Sequence, residues 1–255
     1  MNDCSKPVAV ADRPVVADDY GLQPGDELVD TAHVPNGARL RLIRNCDDFA
    51  ILLDDNELMS TDIYSSEVAL ATMTCKRLGE REAPQLLIGG YGLGFTMRAA
   101  LDVLGHDASV TVAEIVPEII DWARGPMKSL TAGGLDDARV QLVQDDVAML
   151  IDCAVGAYDA ILLDVDNGPE GLTRRVNDWL YSKSGLEAAM TALRPHGILA
   201  VWSATPDAEF VTLLSQAGFE VAVVAVKAND KAIGKDAFEH VIIFAQRGGV
   251  VVQQV

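Results

Sequence analysis

A chain of 255 residues, 49% of them hydrophobic, is long enough to bury one large core. A formal charge of −18 argues against a nucleic-acid substrate, because the phosphate backbone would be repelled and the two compact basic groups, "CKRLGER" at 75–81 and "TRR" at 173–175, are too small to reverse that field. No run of about 18 uncharged apolar residues is present, the first residues lack the basic start and apolar core of a signal peptide, and the four Cys and four His are dispersed without metal-ligand spacing. The expectation is a soluble, cytoplasmic protein with no membrane partner and no metal.

Residues 1–30, rich in Asp, Pro and Ala without a clear period, are expected to form a loosely ordered arm. Over 31–63 short runs of alternating polar and apolar residues are separated by the turn formers "NCDD" and "DDNE", which predicts a small β-hairpin unit. From 64 to 247 apolar runs ("PQLLIGG", "SVTVAEI", "VQLVQDD", "YDAILLDV", "GILAVWSA", "FEVAVVAV", "HVIIFAQ") take turns with helix-compatible segments such as "PEIIDWARGPM" and "GLEAAMTALRP". That alternation predicts an α/β fold, a doubly wound and mostly parallel seven-stranded sheet of Rossmann type. Residues 248–255 are read as a tail.

The first strand of this region runs into "GGYGLG", where Gly90, Gly92 and Gly94 alternate just before a helical pattern. Glycine lets the backbone turn tightly and lets a ligand lie against it. Glu114 ends the next strand, where a carboxylate can accept hydrogen bonds from ribose hydroxyls, and Asp145 follows the third, where it can accept from an adenine amino group. A dinucleotide would explain the glycines and Glu114, but its pyrophosphate prefers the GxGxxG spacing; S-adenosylmethionine, which has no phosphate, explains Asp145 as well. After the fourth strand, Asp164 is the candidate catalytic acid, able to orient or deprotonate a nucleophile, with Asp166 two positions on as a candidate for substrate binding. Tyr181, with Trp179, is a candidate wall of an acceptor pocket, and Tyr91 in the glycine turn a candidate contact; Trp202 is expected to be packing.

Taken in order, "AILLDDNELMSTDIYSSEVALA", "LLIGGYGLGFTMRAAL", "VAEIVPEII", "YDAILLDVDNGPEGL" and "LYSKSGLEAAMTALRPHGILAVWSA" resemble the spermidine synthase family, the polyamine aminopropyltransferases built on the class I methyltransferase fold, over residues 50 to 245. The resemblance implies that Glu114 binds the ribose, Asp145 the adenine, and that Asp164 activates the attacking amine. It also implies a homodimer, since such a hairpin unit often mediates dimers in that family. Two departures stand out. The family's GGGDGG becomes "GGYGLG", so Gly92 stands where an aspartate holds the amine end of the aminopropyl donor. Its Tyr-His-Glu becomes "SSE", which keeps Glu67 as a candidate for substrate binding but puts Ser65 and Ser66 in place of the aromatic and the imidazole.

The expected function is that of an S-adenosylmethionine-dependent transferase acting on a small-molecule acceptor, with methyl transfer favoured because Gly92 removes the charge that would repel the carboxylate of intact S-adenosylmethionine. The acidic net charge favours an amine as the acceptor. The alternatives are aminopropyl transfer from decarboxylated S-adenosylmethionine and a non-catalytic protein that binds the nucleoside; an NAD-linked oxidoreductase is a weaker third.

Overall fold

A computed structural model describes residues 22–35, 37–54, 56–165, 179–228 and 239–249. Among these, no helix is long and apolar enough to cross a membrane. Strands β1 (Glu27–His33), β2 (Arg39–Asn45), β3 (Asp48–Leu53) and β4 (Asn56–Ser60) form a four-stranded antiparallel meander. β1 begins within the segment expected to be an arm, because Leu28–His33 pair along β2 and Ala32 is buried there. Its sequence "ELVDTAH" hides this by carrying polar side chains on both sides of the alternation.

Helix α1 (Ser65–Leu78) leads into the large sheet. The chain then alternates: β5 (Gln85–Gly89), α2 (Phe95–Val103), β6 (Ser109–Ala113), α3 (Pro117–Arg124), the short α4 (Lys128–Thr131), β7 (Val140–Val143), α5 (Val147–Asp152) and β8 (Tyr158–Leu163). After residues 166–178 come α6 (Lys183–Ala192), β9 (Leu193–Ser203), α7 (Ala208–Gln216), β10 (Phe219–Lys227) and β11 (Glu239–Arg247). The helices start where the sequence supplies caps: Asp146, Ser182 and Asp207 each accept from a backbone N–H of the first turn of α5, α6 and α7, and Pro117 opens α3.

The seven strands lie in the order β10-β11-β9-β8-β5-β6-β7. The pairings from β7 through β9 are parallel, while β11 runs antiparallel to both β9 and β10. Buried on both faces, β5 and β8 read as the apolar runs "LLI" and "AILL". Chain order reverses beside β5: β6 and β7 lie on one side of it, β8 and β9 on the other. Such a switch point opens a crevice at the carboxyl ends of the strands.

Candidate active site

Three loops begin together at that crevice. The ladder bonds run one residue beyond each strand, from Gly90 N to the Ala113 carbonyl, Glu114 N to Val143 and Asp164 N to Gly89, so the glycine turn, Glu114 and Asp164 leave the sheet side by side. They open onto a cavity whose polar wall holds Gly90, Gly92, Glu114, Asp145, Asp164 and Glu67. Much of the rest of the lining is apolar and comes from the N-terminal meander: Leu40, Ile51, Leu53, Leu58 and Met59. The indole of Trp122 on α3 donates to Asp30 of β1 at 2.8 Å and ties the meander to the large sheet.

The glycine turn is crowded by the protein itself. Gly90 has φ +83°, and a Cβ there would strike the carbonyl oxygen of Asp164. Gly92 has φ +54°, and a Cβ there would lie 2.5 Å from the Met59 sulfur. Glycine at these two positions lets the turn pass between Met59 and the Asp164 loop while its backbone lines the cavity. Gly94 is the residue before α2 and faces the ring of Tyr91, not the cavity.

Glu114 is 4% exposed and accepts from the backbone N–H groups of Tyr91 (2.9 Å) and Val116 (2.8 Å), one on each carboxylate oxygen. Burial raises its pKa, and the surrounding backbone donors pull it back. Asp145 is exposed at the far end of the cavity and accepts from the Asp146 N–H at 2.8 Å.

Asp164 accepts from the Thr96 hydroxyl at 2.6 Å. Burial raises its pKa to about 6, with Thr96 opposing. Glu67, 7% exposed on the first turn of α1, is raised further, to about 8, by burial first and then by the Asp164 charge, while the Ser66 hydroxyl lowers it. Two carboxyls desolvated side by side cannot both ionise cheaply, so burial favours a proton held by the pair. A cationic group brought beside them would restore both charges.

Not all the expected residues converge. The Tyr91 ring turns away from the cavity toward Gly94 and Arg98, leaving only its backbone N–H to serve Glu114. Tyr181 packs edge-on against Phe210 at 5.4 Å in the core beneath α6 and is not part of the cavity wall, and Trp179 packs in the same cluster. Asp166 lies outside the described residues, as do Asn167 and Asn177. Trp202, expected to be packing, is 7% exposed and lines the cavity; among the described residues nothing accepts from its indole nitrogen.

The sequence reading missed Thr96, Met59 and His240. The substitution of "SSE" for Tyr-His-Glu implied that no imidazole stands near Glu67. His240 of β11 supplies one: its Nδ1 lies 2.9 Å from the Ser66 Oγ, across 174 positions of sequence. No local signal marks this residue, since it sits singly in an apolar strand.

An α/β sheet with a glycine turn, a buried acid and an exposed acid at successive strand ends has the architecture of the Rossmann-like methyltransferase fold. Residues 63–225 match the Spermine/spermidine synthase domain, and the chain belongs to the spermine/spermidine synthase family. It is 32% identical over 127 residues to a polyamine aminopropyltransferase of Mycobacterium tuberculosis, a match that covers 49% of this chain and 23% of that protein. A polyamine aminopropyltransferase of Stenotrophomonas maltophilia is 33% identical over 122 residues, covering 48% and 40%. The matched part is thus less than half the length of either relative. In fold it is similar to the spermidine synthase of Thermotoga maritima, with a TM-score of 0.68 at 18% identity over 87% of this chain and 73% of that one. A spermidine synthase in complex with the transition-state analogue AdoDATO gives a TM-score of 0.67 at 18% identity, covering 87% and 72%.

Proposed function

We propose that the chain transfers an aminopropyl group from decarboxylated S-adenosylmethionine to an amine. The observation that carries this reading is the pair of desolvated carboxyls, Glu67 and Asp164, in the wall of a cavity whose other end has the acids and the side-chain-free turn suited to an adenosine. Such a pair attracts a cationic amine and can take its proton. The methyl transfer expected from Gly92 gives way to aminopropyl transfer, because the family match and the relatives named as polyamine aminopropyltransferases support the latter.

In this reading Glu114 holds the ribose diol, Asp145 faces the adenine edge, and Gly90 and Gly92 lie against the donor's tail. The donor supplies an electrophilic carbon on a positively charged sulfur. Asp164, held by Thr96, strips a proton from the bound ammonium so that its nitrogen lone pair is free to attack. The new C–N bond forms as the C–S bond breaks, the bonding pair leaves with sulfur as a neutral thioether, and the proton stays on the carboxyl pair. Alignment supplies most of the help, since the carbon is already activated. The second reading, methyl transfer from intact S-adenosylmethionine, keeps one observation in its favour: Gly92 places no charge beside the donor's tail.

Incubation with each donor and a panel of di- and polyamines, followed by mass analysis of the product, separates the two. An aminopropyl increment on the amine with the decarboxylated donor is expected; a methyl increment with intact S-adenosylmethionine would replace this reading with the second. Asp164→Asn should lower kcat about 10²- to 10⁴-fold while donor affinity by calorimetry changes little.

A further inference from the structure

Behind Glu67 lies a hydrogen-bonded chain that leads away from the cavity. The Ser66 hydroxyl is 2.6 Å from Glu67 Oε2 and 2.9 Å from His240 Nδ1. Ser66 is fully buried, His240 is 8% exposed, and the imidazole meets the face of Trp202 at a 4.6 Å centroid distance and an interplanar angle of 70°. Three polar groups buried together in this way tie the start of α1 to β11.

We infer that Ser66 and His240 are positioning residues for Glu67, forming a two-way hydrogen-bond chain that holds the carboxyl toward the cavity in both of its protonation states. When Glu67 is ionised, Ser66 donates to it and the Nδ1–H tautomer of His240 donates to Ser66. When Glu67 is protonated, every bond reverses: the carboxyl donates to Ser66 Oγ, and Ser66 donates to Nδ1 of the Nε2–H tautomer, the ring proton having exchanged from Nδ1 to Nε2 with solvent. The Ser66 hydroxyl and the Glu67 oxygen that faces it stay paired in either state, so Glu67 gains and loses a proton without moving. The reversal needs a neutral imidazole, and burial keeps it so by lowering the His240 pKa to about 4. Other elements around α1 do not compete for the role. Asp164 after β8 faces Glu67 as a second acid, α2 offers Thr96 and β9 offers Trp202, neither of which titrates. Arg98 of α2 lies against the Phe95 ring, and Lys227 at the end of β10 is exposed.

The inference rests on the reading of the cavity as an amine site, and its test separates the two. The Glu67 side-chain carboxyl is titrated by carbon-detected NMR in the full chain with no substrate present, and the pH profile of kcat/KM for the amine is measured in parallel. Ser66→Ala removes a donor to the ionised form, so the Glu67 midpoint should rise by about one pH unit. Ser66→Thr should restore it. His240→Phe should move it in the same direction by less, and His240→Asn, whose amide nitrogen replaces Nδ1, should return it toward the starting value. Thermal unfolding of each variant confirms that it is folded, and His240→Phe serves where Ser66→Ala does not fold. If Ser66→Ala or His240→Phe moves activity while the Glu67 midpoint and the acid limb stay in place, the chain is structural only and the inference is overturned. If the midpoints move as expected but no amine is turned over by the unsubstituted protein, the inference holds and the reading of function fails.

Discussion

At the scale of single residues, Gly92 is where charge and packing meet. An aspartate there would face the donor's tail, but its Cβ would overlap the Met59 sulfur, and the positive φ costs a non-glycine residue roughly 1–2 kcal/mol. Gly92→Asp alone should therefore weaken both donors, and Gly92→Asp with Met59→Ala should recover binding and shift the donor preference at least about tenfold toward the decarboxylated form, about 1.4 kcal/mol. An unchanged ratio in the double variant, by calorimetry, would refute the charge account of this position. Glu67 and Asp164 also predict a pH dependence of stability. Both are raised in the folded chain above their ordinary values of 4.5 and 3.8, so the unfolded state holds fewer protons across the interval between. The stability they contribute is complete below those values and is lost as pH climbs through about 6 and then about 8. Thermal scans of the free protein should show the unfolding temperature falling between pH 5 and pH 8.5, more shallowly in Glu67→Gln.

At the scale of elements, the two ends of the large sheet divide the labour. The amino-terminal edge is fastened by Asp159 of β8, 3% exposed, which accepts from Arg81 at 2.5 Å, Arg194 at 2.8 Å and the Gln85 backbone N–H at 2.8 Å. Among the described residues, none of these charged groups lines the cavity. Asp159→Ala should cost about 2–3 kcal/mol in urea unfolding, near the low end for a buried ion-pair member because both arginines reach water, and leave donor affinity unchanged. At the other edge the meander supplies the cavity's apolar wall, and the Asp30–Trp122 bond holds it there. Asp30→Ala should cost less in stability, about 1–2 kcal/mol, yet weaken donor binding. Equal effects of the two substitutions on affinity would show that the meander does not shape the site.

For the molecule as a whole, a formal charge of −18 surrounds a cavity whose innermost side chains are also acids. Amine cations should be drawn toward it, and the attraction should weaken as salt shortens the screening length from about 30 Å at 0.01 M to about 8 Å at 0.15 M. The KM for an amine is expected to rise several-fold over that range, more steeply than the KM for the donor. Parallel salt curves for the two substrates would assign the charge no part in recognition.

Sequence alone determined the periodic elements and the three strand-end features, Gly90, Glu114 and Asp145, because each depends on local spacing: an apolar run, a glycine turn, an acid one or two residues past a strand. Asp164 was legible for the same reason. β1 was not, since its alternation is broken by Asp30 and Thr31, and Tyr91 and Tyr181 could be named but not aimed, since a side chain's direction follows from the neighbours it packs against. Only the tertiary structure decided that Leu40 to Met59 close the cavity, that Thr96 reaches Asp164, and that His240 stands behind Ser66. These contacts join segments dozens to 174 residues apart, and no local pattern encodes a partner that folding alone brings within reach.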